Sequence, residues 1–243
     1  MDNLTSAKLL LSLLDLTSLN DNDNNDSISE FCSLAATPYG KPAALCIYQQ
    51  FIPVVSPRIN EAIKIATVIN FPQGENNINI LEKEISSAIK LGADELDVVM
   101  PYKDFLAGNI QECMEYLTTA RKLCSKKTLK IIIESGELGN ISNIKQASAM
   151  CIEAKADFIK TSTGKTPHSA TPEAANAILE VIKSSKADVG FKASGGIRTF
   201  LDAKCYLTLA QSIMGASWVN PQHLRIGASS LLKDLIKTIE QGY

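Results

Sequence analysis

The chain has 243 residues, is 45% hydrophobic and carries a formal net charge of -2, so it can bury a sizeable core and presents no basic surface for nucleic acid. No apolar run reaches the roughly 18 to 20 residues that a membrane-spanning helix needs. Six cysteines are scattered without a CxxC pair and there are only two histidines, so we expect reduced thiols, no zinc site and no histidine-based triad.

The first predicted element is an extra N-terminal helix. Residues 1–16 are amphipathic, and they lack the basic start and the small-residue cleavage site of a signal peptide. Together with the reduced thiols, this leads us to expect a cytoplasmic protein, with neither nucleic acid nor a membrane as its partner.

A polar run follows, from Asn20 to Ser27. Its spacing of acidic residues is similar to a calcium-binding loop, but Asp26 stands at the position that needs glycine and Cys32 at the position that needs glutamate. Ser27 and Glu30 have the spacing of a capping box, which predicts that a helix opens at Ser27.

The rest of the chain alternates between apolar, β-branched segments and segments with helical periodicity. The predicted strands are Leu13–Leu16, Ala43–Ile47, Ile65–Ile69, Glu95–Val99, Leu129–Ile133, Phe158–Lys160, Val189–Lys192 and a short one near Arg225–Gly227. The predicted helices include Ile78–Leu91, Ile110–Cys124, Ile141–Lys155, Pro172–Ser184, Leu201–Ala210 and Ser229–Glu240.

Eight alternations in about 240 residues favour a (β/α)8 barrel, with a doubly wound open sheet as the alternative. No linker rich in proline, glycine or serine divides the sequence. We predict one α/β domain over residues 1–243.

Two lysines end predicted strands at matching positions. Side chains alternate between the two faces of a strand, so Lys160 shares a face with Phe158, and Lys192 shares a face with Gly190. The opposite face of the second strand carries Phe191, which suits packing against helices. Both lysines are therefore predicted to point into the mouth of the barrel, although a single strand-end lysine often just extends to solvent.

Such a pair has a chemical use. Burial and a neighbouring cation both lower the pKa of a lysine from about 10.4. At pH 7 an ordinary lysine is neutral only about 0.04% of the time, and a decrease of about 3 units would raise this to roughly half. A neutral amine is the nucleophile that forms a Schiff base with a carbonyl group.

Carboxylates accompany the lysines. Asp97 lies in the middle of the fourth predicted strand, and a buried aspartate is costly unless it is paired. It could be a simple counter-charge or a member of a proton relay. Glu134, just after the fifth predicted strand, is a second candidate for the mouth, with either a structural or a functional role.

The loops after the last strands favour a phosphate. "STGK" follows Lys160, "SGGIR" follows Lys192, and "IGASS" precedes the last helix. Glycines expose backbone N–H groups, helix N-termini favour anions, and Lys165 or Arg198 can supply positive charge. Each glycine motif alone is usually a turn, but barrels often hold phosphate in the loops after strands seven and eight.

These motifs resemble the deoxyribose-phosphate aldolase family. The likeness covers residues 15–232 through "LDLTSLN", "CIYQQFIP", "TVINFPQG", "GADELDVVMPY", "KIIIESGEL", "ADFIKTSTGK", "VGFKASGGIRT" and "RIGASSLL". It implies a (β/α)8 class I aldolase that needs no metal or cofactor. The implied reaction is reversible cleavage of 2-deoxy-D-ribose 5-phosphate into D-glyceraldehyde 3-phosphate and acetaldehyde, in deoxyribonucleotide catabolism. A homodimer is a further expectation from the family.

The resemblance also implies roles for particular residues. Lys160 would form the Schiff base, Lys192 would perturb it, and Asp97 would join Lys192 and a water molecule in a proton relay. The positions that match the family's phosphate pocket are Gly164, Lys165, Gly195, Gly196, Arg198, Gly227, Ser229 and Ser230. Those that match the substrate channel are Asp15, Cys46 and Thr163.

Two features call for comparison with the family pattern: the residues after Lys192 and the C-terminal tyrosine. The common FKPAGG stands here with Ala193 and Ser194 in place of proline and alanine, which is expected to loosen the turn, add a hydroxyl group near the phosphate loop and shift affinity. Some relatives carry a catalytic C-terminal tyrosine. Tyr243 ends this chain, but the last predicted helix runs about 18 Å away from the phosphate loops, so we do not expect Tyr243 to reach the site.

Two other functions stay open at this point. One is a Schiff-base aldolase that acts on a different phosphosugar or a ketose. The other is a barrel that binds phosphosugars without catalysis.

Overall fold

The fold is a closed barrel of eight parallel strands that pair in sequence order, in a computed structural model that describes residues 1–242. The first and last strands pair with each other, so Asp15 lies in register with Gly227. Barrel closure confirms the (β/α)8 prediction over the open sheet. The strands are β1 (Leu14–Ser18), β2 (Ala44–Ile47), β3 (Lys64–Ile69), β4 (Glu95–Val99), β5 (Thr128–Ile132), β6 (Phe158–Lys160), β7 (Gly190–Ser194) and β8 (Leu224–Ala228).

The predicted strand ends are accurate to within about two residues. β4 and β6 match the prediction, whereas β7 begins one residue later and ends two residues later than expected. Strand ends depend on hydrogen bonds with neighbouring strands, which the sequence does not show directly. For example, Ser194 at the end of β7 pairs with Gly227 of β8.

Helices surround the barrel, and the extra N-terminal helix is confirmed. This helix begins after Asp2, whose side chain accepts a hydrogen bond from the backbone N–H of Thr5, and it packs against the last two helices of the chain. The helices are α1 (Asn3–Ser12), α2 (Asn25–Leu34), α3 (Ile52–Val55), α4 (Ile78–Leu91), α5 (Tyr102–Leu106), α6 (Ile110–Leu123), α7 (Ile141–Glu153), α8 (Pro172–Ser185), α9 (Phe200–Met214) and α10 (Leu231–Gln241).

The capping box predicted at Ser27 and Glu30 is wrong by one turn. α2 starts three residues earlier, and Asn24 is its N-cap. The Asn24 side chain accepts from the backbone N–H of Ser27, while the Ser27 hydroxyl accepts from the backbone N–H of Asn24. Ser27 is therefore the N3 residue of the box and Asn24 its N-cap, since asparagine is as good an N-cap as serine.

The barrel interior has two chemically different halves, and this division positions the site. Around β2 and β3 it is filled by small apolar side chains, including Cys46, Ala66 and Val68. Elsewhere it holds charged side chains from β1 and from β4 to β8. The outward faces of the strands, such as Leu96 and Val98 of β4, are fully buried against the helices.

Within residues 1–242, no helix is both long enough and apolar enough to cross a membrane. The C-terminal residue, Tyr243, for which the sequence raised the question of proton transfer, lies outside the described residues.

Candidate active site

The carboxylate of Asp97 lies at the centre of the charged half of the barrel. One of its oxygens, Oδ1, accepts a hydrogen bond from Lys130 at 2.8 Å. The other, Oδ2, accepts from Lys160 at 2.8 Å and from Lys192 at 2.7 Å. Burial alone would raise the pKa of Asp97, but the three ammonium groups outweigh burial and hold this pKa well below its usual range. Asp97 is therefore an ionised acceptor shared by three lysines.

Lys160 and Lys192 stand side by side, as strand parity predicts. They are direct register partners on β6 and β7, and both ammonium groups bond the same oxygen of Asp97. Burial lowers the pKa of Lys160, Asp97 opposes this effect, and the positive charge of Lys192 lowers the pKa further, so the net shift is downward. Lys160 is thus the lysine whose neutral form is favoured.

The pKa of Lys192 shifts in the opposite direction. Burial by itself favours its neutral amine, but the carboxylates of Asp15, at 2.5 Å, and Asp97 together raise its pKa above the usual value. Close packing holds the Lys192 side chain in place. A Cβ atom at Gly227 would lie 2.9 Å from Lys192 Cε, so only glycine leaves room for the lysine there.

Below these lysines, four buried side chains form what we call the charged floor: Asp15, Glu95, Lys130 and Arg225. Arg225 donates to Asp15 at 2.6 Å and to Glu95 at 2.9 Å. Lys130 lies 2.5 Å from Glu95 and 3.6 Å from Asp15. Every charge of the floor has an opposite partner, which is what makes its burial tolerable.

Sequence reasoning missed both basic residues of the floor. The signal was present: Lys130 interrupts the apolar strand Thr128–Ile132, and its parity is that of Asp97, its register partner. Arg225 likewise lies within the predicted last strand and is in register with Lys192.

A cavity of about 260 Å³ opens above Lys160 at the carboxyl ends of the strands. Most of the predicted binding residues line it, together with Thr17, Leu19, Asn20, Ser194, Ile197 and Ala228, which were not predicted to do so. The predicted ones in the wall are Lys160, Thr163, Gly164, Lys165, Gly195, Gly196, Arg198, Gly227 and Ser229. The structure therefore brings the amine and the glycine loops to one cavity, as expected of a (β/α)8 barrel.

Two glycine loops form one end of this cavity. A Cβ atom at Gly164 would lie 3.6 Å from the Cα of Gly195, and Gly195 adopts a φ of 89°, which favours glycine. Close backbones with exposed N–H groups, flanked by Lys165 and Arg198, suit an anionic group. Lys165 contacts the carboxylate of Asp21 at 3.4 Å across the mouth.

Some predicted residues lie outside the cavity wall. Asp15 is fully buried in the charged floor, and Cys46 is fully buried in the apolar half of the interior, where burial raises the pKa of its thiol. Ser230 is the exposed N-cap of α10. Asp15 therefore contacts the site through its hydrogen bond from Lys192.

The loss of the family's proline at Ala193 predicts a looser turn, and Ser194, the next residue, is bonded to the end of β6. Its hydroxyl donates to the backbone carbonyl of Ser162 at 2.6 Å, and its backbone N–H donates to the hydroxyl of Thr161 at 3.0 Å. These bonds tie the ends of β6 and β7 together. The Ser194 hydroxyl proton is thus used within the protein.

Comparisons with known proteins agree with this architecture. A family model described as DeoC/LacD family aldolase matches residues 9–237. A protein of Toxoplasma gondii ME49, assigned as a deoxyribose-phosphate aldolase, is similar with a TM-score of 0.89 at 23% identity, over 98% of both chains. A protein of Coccidioides immitis with the same assignment gives 0.84 at 25% identity, over 96% of this chain and 86% of that one. The deoxyribose phosphate aldolase of Aeropyrum pernix gives a TM-score of 0.79 at 22% identity, over 100% of this chain and 98% of that one.

Proposed function

The chain belongs to the DeoC/LacD family of aldolases, and on that premise we propose that it cleaves 2-deoxy-D-ribose 5-phosphate reversibly into D-glyceraldehyde 3-phosphate and acetaldehyde. One observation carries the proposal above the others. Lys160, a lysine with a lowered pKa, shares the carboxylate of Asp97 with Lys192 beneath a cavity whose far end is made of glycine loops.

The first step uses the neutral amine of Lys160. Its nitrogen attacks the aldehyde carbon of the open-chain sugar, and loss of water from the resulting carbinolamine gives a protonated imine. Two features favour this step: burial, and the neighbouring charge of Lys192, both of which stabilise the neutral amine.

The second step breaks the bond between C2 and C3 of the sugar. A proton leaves the C3 hydroxyl, the electron pair of the C2–C3 bond moves toward the iminium nitrogen, and D-glyceraldehyde 3-phosphate departs. The enamine left on Lys160 then takes a proton at its terminal carbon, and hydrolysis of the imine releases acetaldehyde. In our proposal a water molecule bonded to Lys192 and Asp97 takes the C3 proton and returns a proton to the enamine carbon, while Asp97 and Asp15 hold Lys192 in position.

The phosphate end of the substrate accounts for the glycine loops. With C1 at Lys160, the 5-phosphate would lie against the backbone N–H groups of Gly195 and Gly196, with Lys165 and Arg198 nearby. Binding energy from this remote phosphate orients the reacting carbon over the amine.

Two alternatives make different predictions. An aldolase for another phosphosugar would form the same Schiff base but would cleave that sugar faster, which rates on a panel of sugar phosphates would reveal. A barrel that only binds phosphosugars would be stabilised by them without turnover. The retained set of Lys160, Lys192 and Asp97 argues for catalysis.

Borohydride trapping tests the proposal directly. Incubation with acetaldehyde and borohydride should add one two-carbon group to the intact protein, and peptide mapping should place it on Lys160. Lys160→Ala should abolish the adduct, whereas Lys145→Ala, which changes an exposed lysine paired with Glu180, should keep it. Absence of an adduct, or an adduct that survives Lys160→Ala, would contradict the proposal.

We also propose a cytoplasmic location, from the scattered free cysteines, and a homodimer, from the family alone. The Aeropyrum pernix neighbour is described as having a unique tetrameric structure. Light scattering on the purified protein would distinguish a dimer from a tetramer or a monomer.

A further inference from the structure

A buried carboxylate beside the cavity has no part in the reaction described above. Glu134 follows β5, is fully buried, and has a φ of 50°, a left-handed conformation that is costly for a residue other than glycine. Its carboxylate accepts the backbone N–H of Thr163 at 3.2 Å and the Thr163 hydroxyl at 2.5 Å. A strained residue held by a short bond to a cavity-lining side chain suggests a role at the site.

The bond to Glu134 determines what the Thr163 hydroxyl can still do. A hydroxyl group has one proton to donate and two lone pairs that accept. The proton goes to Glu134, both of whose carboxylate oxygens also accept the backbone N–H of Thr163. One lone pair accepts the backbone N–H of Lys165 at 3.1 Å. One lone pair therefore remains, so this hydroxyl can offer a ligand only an acceptor.

Thr163 also has a defined place along the cavity. It lines the wall between Lys160, which would hold the carbonyl carbon, and the Gly164–Lys165 loop at the phosphate end. A substrate that spans these two points presents its middle carbons near Thr163. A hydroxyl group on such a carbon can donate to the free lone pair.

We propose that Glu134 is a specificity-determining positioning residue that fixes the Thr163 hydroxyl as an acceptor for a substrate hydroxyl between the carbonyl and the phosphate. This inference rests on the proposed function and assigns the selection of a substrate hydroxyl to a residue outside the reaction described above. Burial raises the pKa of Glu134, although the hydrogen bonds from Thr163 favour its charged form. The preference should accordingly weaken as acid protonates Glu134.

Glu134→Gln separates this role from a purely structural one. The glutamine oxygen can still accept the Thr163 N–H, and its NH2 group can donate to the Thr163 oxygen, so the tether between the two loops is kept. The direction of the side-chain bond is reversed, however, so the lone pair once free for the ligand is used and the Thr163 proton is released. In this variant the Thr163 hydroxyl can only donate to a ligand. Thr163→Val removes the hydroxyl in a similar volume, and Thr163→Ser is the matched control that keeps it.

The decisive measurement compares three unreactive phosphates by calorimetry: sn-glycerol 3-phosphate, 3-hydroxypropyl phosphate, which lacks the middle hydroxyl, and glycolamide phosphate, whose middle carbonyl oxygen can only accept. The wild-type protein should bind the first about tenfold more tightly than the second, since a buried acceptor left unpaired costs of that order. Thr163→Val should reduce this ratio to about one, and Thr163→Ser should retain it. Relative to 3-hydroxypropyl phosphate, Glu134→Gln should bind glycolamide phosphate about tenfold more tightly than the wild type does, because only in this variant can Thr163 donate to the ligand. Equal affinities for the first two ligands in the wild type, or no such gain in Glu134→Gln, would overturn the proposal.

Borohydride trapping with acetaldehyde accompanies each titration. Acetaldehyde has no middle hydroxyl, so the adduct on Lys160 should form in the wild type whether or not Thr163 selects for such a hydroxyl. Failure to trap an adduct in the wild type would count against the aldolase alone, because the ratio of the two affinities does not depend on turnover.

Discussion

Lys130, in the charged floor, and Lys160, at the mouth, are both buried and both donate to Asp97, yet their pKa values shift in opposite directions. Burial lowers the pKa of each. For Lys130 the carboxylates of Asp97, Glu95 and Asp15 outweigh burial, and its pKa rises above the usual value. For Lys160 a single carboxylate is shared with Lys192, and its pKa falls.

The number of carboxylates around each ammonium group is therefore what separates a structural lysine from a nucleophile in this barrel. Three acidic side chains, Asp15, Glu95 and Asp97, face four basic ones across the interior. The charged floor takes up most of the negative charge. The mouth is left with a relative excess of positive charge, which lowers the pKa of the lysine that faces the cavity and also suits an anionic substrate.

The largest expected effect comes from breaking the charged floor. Lys130→Met should lower the free energy of unfolding by about 3 to 5 kcal/mol, because it leaves Glu95 and Asp97 buried with one cation fewer. Urea denaturation would measure the loss. Lys145→Met, which breaks an exposed ion pair with Glu180, is the control and should change stability by less than about 1 kcal/mol. A loss for Lys130→Met no larger than the control's would show that the floor contributes little.

A smaller effect, on reactivity, should follow when the mouth loses its second cation. Lys192→Met removes the like charge beside Lys160 and frees Asp97 to pair with it, and both changes raise the pKa of Lys160. Imine formation with acetaldehyde rises with pH as the amine deprotonates. The midpoint of that rise should therefore move up by about one unit, and trapping at pH 7 should slow about tenfold.

The pH profile of borohydride trapping, followed by intact mass, would measure this shift, with Lys145→Met as the unshifted control. A midpoint that stays in place or moves down would mean that Lys192 does not set the pKa of Lys160, and that the contrast between the floor and the mouth has another cause.

The sequence predicts the mouth much better than the floor, for a physical reason. Parity within a strand places Lys160 and Lys192 on one face without knowledge of the rest of the barrel. The partners of Lys130 and Arg225 lie across the interior, on strands that are distant in sequence, so which charges meet depends on how the barrel closes. Asp97 faces the lysines, as the sequence suggests, but the sequence of one strand does not show that three lysines share its carboxylate.

Local signals near the loops were also incomplete. The hydroxyl of Ser194 was expected near the phosphate loop, but its partner, the carbonyl of Ser162, lies in the loop after the neighbouring strand and cannot be read from the β7 sequence. The left-handed conformation of Glu134 has no clear sequence signature, since glutamate rarely adopts it. The cavity itself could be predicted, because glycine loops at the carboxyl ends of neighbouring strands meet in any closed barrel.

The smallest expected effect tests whether the excess positive charge at the mouth of the barrel includes Lys165. Asp21, an exposed side chain of the polar run after β1, lies 3.4 Å from Lys165, and a bound phosphate would compete for this lysine. Exposed ion pairs are worth little, so Asp21→Asn should lower KM for the phosphorylated substrate by only about twofold at low ionic strength. Salt screens such exposed charges, so the difference should vanish near 1 M salt. Cleavage of unphosphorylated 2-deoxyribose should not change, because it brings no anion to Lys165. An equal change with both sugars would instead mean that Asp21 acts through the conformation of its loop and not through the charge of Lys165.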